Sequence, residues 1–156
     1  MGAPSGSQAT RMHHMGMTVS DLDRSVAFYG DVFGMPLDGT FAVPAEFALQ
    51  VSRVDAACRG AFLKIGGAVL ELLEYRDAGG RPYELGNGDV GAAHPCFEVQ
   101  DIDAVYARLQ ELGSDCFTPP LPIDEGDLAG YRWLYFKDPD GIVVELFQPP
   151  SDEGRA

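Results

Sequence analysis

The chain has 156 residues with a formal net charge of −13, and 46% of its residues are hydrophobic and 22% charged, as is typical of one globular domain. The negative charge argues against nucleic acid or an anionic membrane surface as a partner, because both are polyanions. Three cysteines without a CxxC motif, a polar N-terminus and no apolar run of the ~20 residues that span a bilayer predict a cytoplasmic protein without a signal peptide.

The first half of the chain predicts a strand, a helix and three more strands. After a leader over residues 1–11 that we expect to be disordered, Met12–Val19 alternates as a strand does, and Ser20 is a suitable N-cap for a helix that ends at Gly34. The helix carries one apolar stripe, formed by Leu22, Val26, Tyr29 and Phe33. Strand candidates follow over Leu37–Val43, Glu46–Val54 and Ala61–Glu74, and a turn at Gly66-Gly67 inside the last makes Ala68–Tyr75 the final strand.

The second half repeats this plan. His94–Val99 is predicted as a strand, and Asp101 caps a helix that ends at Gly113. Its apolar stripe consists of Ile102, Val105, Leu109 and Leu112. After an irregular, proline-rich stretch over Phe117–Ile123, two strands are predicted over Tyr131–Phe136 and Ile142–Phe147, joined by the turn sequence Asp138-Pro139-Asp140-Gly141.

The two halves carry the same residues at matching places. Four residues recur at a spacing of 80: His14, Val19, Asp21 and Asp23 return as His94, Val99, Asp101 and Asp103. The last strands also match, because Val69-Leu70-Glu71-Leu72 returns as Val143-Val144-Glu145-Leu146. Each half therefore begins with a histidine and closes with a glutamate.

The repeat predicts one domain over residues 12–149, with module one over 12–76, a connector over 77–91 and module two over 92–149, followed by a tail over 150–156. The predicted fold class is α+β. Two tandem βαβββ modules would form one curved, mostly antiparallel sheet of about eight strands, with the helices on its convex face.

The duplicated histidines and glutamates predict a metal site. Strand alternation places His14 and His94 on the face opposite the helices, and Glu71 and Glu145 can face the same concave side. Burying two carboxylates among apolar strands without a cation would cost several kcal/mol. Two imidazoles and two carboxylates are the ligands that a divalent metal ion prefers.

Over about residues 12–148 the chain resembles the vicinal oxygen chelate superfamily, which includes glyoxalase I, methylmalonyl-CoA epimerase, extradiol dioxygenases and bleomycin-resistance proteins. The motifs that carry the resemblance are His14-x-Gly16-x-x-Val19, Asp21-Leu22-Asp23-Arg24-Ser25-Val26-Ala27-Phe28-Tyr29, Gly34-Met35, Glu71-Leu72, His94-x-x-Phe97-x-Val99 and Asp138-Pro139-Asp140-Gly141-x-x-x-Glu145-Leu146.

The resemblance implies that His14, Glu71, His94 and Glu145 bind one divalent ion, which could be Ni, Zn, Co, Mn or Fe. His13 competes with His14, but the spacing to Gly16 and Val19 selects His14. Glu74 competes with Glu71, but alternation places it on the other face, as a surface residue.

The implied function is a metal-dependent lyase or isomerase of glyoxalase I or epimerase type, acting through a metal-bound enediolate or enolate, with Glu145 or Glu71 as the base. One alternative is a metal-free natural-product-binding protein of the bleomycin-resistance type, and another is an Fe(II)-dependent ring-cleaving dioxygenase. The partners would be a small-molecule substrate and a second copy in a homodimer, and the modules could pair within one chain or across two. The residues expected to line the substrate site are Phe47, Phe62, Cys96 and Trp133.

Overall fold

A computed structural model describes residues 9–151, so most of the predicted leader and tail, over residues 1–8 and 152–156, lies outside the described residues. The described part contains eight strands and three helices. In chain order they are β1 (Met15–Thr18), α1 (Leu22–Phe33), β2 (Leu37–Val43), α2 (Ala45–Ser52), β3 (Cys58–Ile65), β4 (Ala68–Tyr75), β5 (Cys96–Glu98), α3 (Ile102–Glu111), β6 (Leu121–Pro122), β7 (Arg132–Lys137) and β8 (Val143–Gln148). None of the helices within residues 9–151 has the length and apolar character needed to cross a bilayer.

The strands form two four-stranded sheets with the same topology. Their orders are β1-β4-β3-β2 and β5-β8-β7-β6. In each sheet the first strand pairs in parallel with the last, and the remaining neighbours are antiparallel. The predicted α+β class, with eight mostly antiparallel strands contributed by two similar halves, is confirmed.

The chain divides into two compact units, each with one of these sheets. The first unit consists of the described residues up to Gly30 together with Met35–Ala78, and the second consists of Asp31–Gly34 together with the described residues from Gly79 onward. The cores of both units are built from apolar strand positions and from part of each predicted helix stripe, since Leu22, Tyr29, Ile102 and Leu109 are buried whereas Leu112 is exposed. The large side chains with almost no exposure include Tyr29, Leu63 and Leu72 in the first unit and Ile102, Leu109, Leu134, Phe136 and Leu146 in the second.

A side chain from the last strand supports the start of the helix in each unit. In the first unit Glu74, at the end of β4, accepts a 2.7 Å hydrogen bond at Oε2 from the Leu22 backbone N–H. In the second unit Gln148, at the end of β8, accepts one of 2.7 Å at Oε1 from the Ile102 N–H. The first N–H groups of a helix have no partner inside the helix, so these two contacts satisfy donors that would otherwise lack one.

The predicted strand over Glu46–Val54 is wrong, because this segment forms helix α2. Pro44 precedes the helix in an extended conformation, and Arg53 ends it with a left-handed φ of 60°. The sequence between them consists mostly of residues that favour helices, and only Ala48 is buried. A short apolar run does not distinguish a strand from a helix by periodicity alone, and here the intrinsic helix preference decides.

Two other elements differ in extent from the sequence-based expectation. The stretch over Phe117–Ile123, expected to be irregular, contributes the two-residue strand β6, in which Leu121 pairs with Trp133. The first strand begins at Met15, later than expected. Both candidate histidines therefore lie just before their strands, His14 before β1 and His94 before β5.

Candidate functional site

A histidine and a glutamate meet at the start of the first sheet. His14 lies directly before β1, and Glu71 lies on β4, the parallel neighbour of β1. The His14 Nε2 is 3.2 Å from Glu71 Oε2, and the side chains are 37% and 15% exposed, respectively. The carboxylate is thus largely shielded from solvent while the imidazole remains accessible from outside.

Gly16 provides the space for this contact. It is the register partner of Glu71, and a Cβ atom added there would lie 3.2 Å from Glu71 Oε2. Such a contact is tighter than most real Cβ contacts. The glycine of the His-x-Gly motif therefore lets the carboxylate lie against the strand beside the histidine.

Aromatic rings form one wall of the first pair. Phe62 on β3 is the register partner of Glu71, and its ring centroid is 6.4 Å from that of His14. Phe41 lies 5.1 Å from Phe62 and covers Gly60, where a Cβ atom would collide with the Phe41 ring. The first carboxylate consequently faces an apolar surface on this side.

His13 contacts the neighbouring imidazole. Its Nδ1 is 2.9 Å from the Nδ1 of His14, and the two rings meet edge to face. One of the two nitrogens must carry the proton of this hydrogen bond. When His14 is the donor, its Nε2 carries a lone pair that is directed toward Glu71. In this tautomer the imidazole can bind a cation through Nε2.

The second unit contains an equivalent pair. His94 precedes β5, and Glu145 lies on β8, the parallel neighbour of β5. The His94 Nε2 is 3.2 Å from Glu145 Oε2, with the side chains 33% and 13% exposed. The register partner of Glu145 on β5 is Cys96, which takes the place that Gly16 occupies in the first unit.

Polar groups surround the second carboxylate more closely than the first. Tyr135 on β7 is the register partner of Glu145, and its ring lies 5.2 Å from that of His94, edge to face. Burial, the negative charge of Glu145 and a hydrogen bond to its carboxylate raise the pKa of Cys96 to about 12. The same three causes, in the same order, raise the pKa of Tyr135. Both groups are therefore protonated at neutral pH, and Cys96 has the character of an unreactive thiol.

A small aromatic groove adjoins the second pair. It has a volume of about 240 Å³ and includes Tyr135 in its wall. Its other lining residues are Phe117, Thr118, Leu121, Trp133 and Leu134. Its lining is almost entirely apolar, and the hydroxyl groups of Thr118 and Tyr135 and the indole N–H of Trp133 are the polar side-chain groups among these lining residues.

The four residues that were expected to line the substrate site lie in different parts of the structure. Phe62 lies beside the first pair and Cys96 beside the second. Trp133 lines the aromatic groove, whereas Phe47 lies on α2 and is 53% exposed. The competitor Glu74 is not a surface residue, because it holds the start of α1 and forms a 2.7 Å ion pair with Arg59.

Both pairs have geometry that suits metal binding. Two donor atoms that bind one ion at ~2.1 Å lie roughly 3.0–3.4 Å apart in octahedral or tetrahedral geometry, and the nitrogen–oxygen distance is 3.2 Å in both pairs. Within residues 9–151 the potential ligands are grouped only in twos, since no set of three or more His, Cys, Asp or Glu side chains is arranged to hold an ion. Each pair thus offers two adjacent ligand positions.

Comparison with known proteins identifies the family. The family model for the glyoxalase/bleomycin resistance protein/dioxygenase superfamily matches residues 11–146. A 2-epi-5-epi-valiolone epimerase from Actinomyces is 35% identical over 150 residues, covering 92% of this chain and 81% of that protein. A lactoylglutathione lyase from Pseudomonas putida is 32% identical over 151 residues, covering 88% of this chain and 84% of that protein. Because these relatives are an epimerase and a lyase, the comparison supports an enzymatic function for this chain.

The fold is also that of solved structures. The glyoxalase family protein from Bacillus cereus matches with a TM-score of 0.77 at 22% identity, over 96% of this chain and all of that chain. The family model, the relatives and the shared fold agree, and the chain belongs to the glyoxalase/bleomycin resistance protein/dioxygenase superfamily.

Proposed function

We propose that this protein is a divalent-metal-dependent lyase or isomerase that moves a proton at a carbon next to a carbonyl group. In this proposal His14, Glu71, His94 and Glu145 are the protein ligands of one ion. The observation that carries the proposal is the repetition of one contact: a histidine Nε2 lies 3.2 Å from a glutamate Oε2 in both units. In both pairs the two donor atoms lie at the separation that ligands of one ion require.

The burial of the carboxylates supports a cation. Glu71 and Glu145 are only 15% and 13% exposed, and their closest basic partners are histidines. A carboxylate removed from water costs several kcal/mol unless its charge is compensated. A neutral imidazole leaves that charge in place, whereas a divalent ion compensates it. Nickel, zinc, cobalt, manganese and iron all accept this mixture of nitrogen and oxygen ligands.

In this proposal the bound ion and the two glutamates have different roles in the reaction. When bound, a divalent ion polarises a substrate oxygen and stabilises the negative charge that develops there. Glu71 and Glu145 are the carboxylates that can accept a proton from the adjacent carbon and return it. Return to the opposite face of that carbon gives an epimer, and return to the neighbouring carbon gives an isomer.

Two positively charged residues of the first sheet are already paired with carboxylates. Arg59 is bound to Glu74 at 2.7 Å and to Asp23 at 2.9 Å. Lys64 is bound to Asp38 at 2.7 Å. With these cations already paired and a net charge of −13, we infer a small hydroxy-carbonyl compound as the substrate class in preference to an anionic glutathione or coenzyme A conjugate.

Elemental analysis tests the ion site. Protein purified without chelator should contain one divalent ion per chain, and His14→Ala and Glu145→Ala should each lose it. Glu98→Gln is the matched control, because Glu98 is an exposed carboxylate on β5 and its removal should leave the ion content unchanged. Equal metal content in all four proteins would refute the proposed site.

Proton exchange tests the reaction. Neutral hydroxyketones and the hemithioacetal of glutathione are incubated in D₂O, and deuterium incorporation next to the carbonyl is followed by NMR. We expect exchange with the neutral compounds, its loss after treatment with chelator and its recovery after addition of Co²⁺ or Ni²⁺. Oxygen consumption without exchange would instead favour a dioxygenase, and binding without either would favour a natural-product-binding protein.

A further inference from the structure

The residue opposite the glutamate differs between the two pairs. On the first sheet Phe62 is the register partner of Glu71, and on the second sheet Tyr135 is the register partner of Glu145. Residues directly opposite each other on antiparallel strands have their Cβ atoms about 5 Å apart. The ring of phenylalanine offers no hydrogen-bond donor to a carboxylate, whereas tyrosine offers one.

Tyr135 lies beside both members of the second pair. Its ring lies edge to face against the His94 imidazole, with a centroid distance of 5.2 Å and an interplanar angle of 90°. On the neighbouring strand it lies directly opposite Glu145, and the charge of that carboxylate adds to the effect of burial in raising the pKa of the tyrosine hydroxyl. The rings of Trp133 and Phe117 lie beside the same tyrosine, with centroid distances of 5.9 and 6.3 Å.

We propose that Tyr135 is a positioning residue for His94 and Glu145, a role that rests on the proposed metal site. The ring fixes the plane of the imidazole, and the hydroxyl fixes the direction of the carboxylate, so both donors keep their orientation before an ion binds. Residues that orient ligands in this way typically contribute about 10- to 100-fold to metal affinity. The second pair is therefore the preorganised one, and Glu71, opposite Phe62, is freer to change orientation.

Removal of one hydroxyl tests the role in metal binding. Tyr135→Phe should weaken Co²⁺ affinity about 10-fold or more in calorimetric titration and change the visible spectrum of the bound Co²⁺. The matched control is Tyr131→Phe, which removes a hydroxyl near the same sheet, where Tyr131 stacks on Phe147 at 4.8 Å. Affinity and spectrum unchanged in Tyr135→Phe, or changed equally in both variants, would overturn the proposal.

A second measurement uses the metal-free protein. Tyr135→Phe should lower the midpoint of thermal unfolding by about 2–4 °C, and by much less when Glu145→Ala is already present, because the hydroxyl then has lost its partner. Equal shifts in the two backgrounds would overturn the proposal. This result is separate from the proposed function, which fails if the unmodified protein binds no divalent ion, whatever the unfolding cycle shows.

Discussion

The two His–Glu pairs share one plan but lie against different walls. In the first, Gly16 leaves space beside the carboxylate and Phe62 covers it with an apolar ring. In the second, Cys96 and Tyr135 occupy the same two register positions and bring a thiol and a hydroxyl to the carboxylate. The comparison shows that both copies keep the residues proposed as ligands, whereas the residues next to them on the neighbouring strands differ.

Replacing each glutamate gives the largest expected effect. Glu71→Gln and Glu145→Gln should both reduce proton exchange by about 10²- to 10⁴-fold, because an amide cannot accept the proton. If the second pair is the preorganised one, Glu145→Gln should also lose more Co²⁺ affinity than Glu71→Gln. Exchange rates and calorimetric titrations of the two variants measure both differences.

Equal losses of affinity would remove the distinction between the pairs while leaving the site intact. Full activity in either variant would exclude that carboxylate from proton transfer. A variant that loses exchange but keeps the ion identifies the glutamate that acts as the base.

Exchanging the small residues beside the glutamates should have an intermediate effect. Gly16→Ala places a Cβ atom 3.2 Å from Glu71 Oε2, so the carboxylate must move by a few tenths of an ångström. We expect Co²⁺ affinity to fall by roughly 10-fold, as for other disturbances of ligand orientation. The control is Gly39→Ala in the same sheet, where an added Cβ atom meets nothing within 4 Å, and where affinity should stay unchanged.

The reverse change makes the second pair resemble the first. Cys96→Gly removes the thiol next to Glu145 but leaves Tyr135 in place, so the affinity should change less than in Gly16→Ala. A larger loss in Cys96→Gly would show that the thiol, and not the tyrosine, orients the second carboxylate.

The smallest expected effect concerns the helix starts, which differ in charge. A hydrogen bond from Arg59, with a smaller contribution from the Leu22 N–H, lowers the pKa of Glu74, whereas Gln148 in the second unit does not titrate. Because the pKa is lower in the folded state, the contribution of Glu74 to stability is complete above the usual glutamate pKa and is lost as the pH falls through the lowered value. Glu74→Gln should therefore cost about 1–2 kcal/mol at pH 7 and progressively less in acid.

Chemical denaturation between pH 7 and pH 3 measures this difference. A constant gap between the two proteins across that range would show that the ion pair with Arg59 does not stabilise the fold. Gln148→Ala provides a comparison, because its cost should not change with pH.

Much of the fold can be predicted from the sequence because the same pattern of motifs occurs in both halves of the chain. The recurrence of the His and Glu motifs predicts the first and last strands of each sheet, and the two apolar stripes predict α1 and α3. Helix α2 occurs only once and has a single buried residue, Ala48, so its short apolar run lacked a second copy for comparison. The helix preference of its residues decided its conformation, and the prediction of a strand did not take that preference into account.

The candidate site was less completely predictable. The position of Tyr135 opposite Glu145 could have been found by counting back across the Asp138–Gly141 turn that joins the two strands. The function of Glu74 could not, because its partner Leu22 is 52 residues away in the chain. Alternation along one strand says which face a side chain occupies, but not which distant backbone group it meets.

In each unit a hydrogen bond connects the last strand with the first turn of the helix, and thus the end of the unit with its beginning. The Leu22 N–H finds its acceptor only when Glu74 has been made and folded, and Ile102 depends on Gln148 in the same manner. A nascent unit therefore stays incomplete until its final residues emerge from the ribosome. A truncation that removes the last strand of either unit would therefore also leave the first turn of its helix without this acceptor.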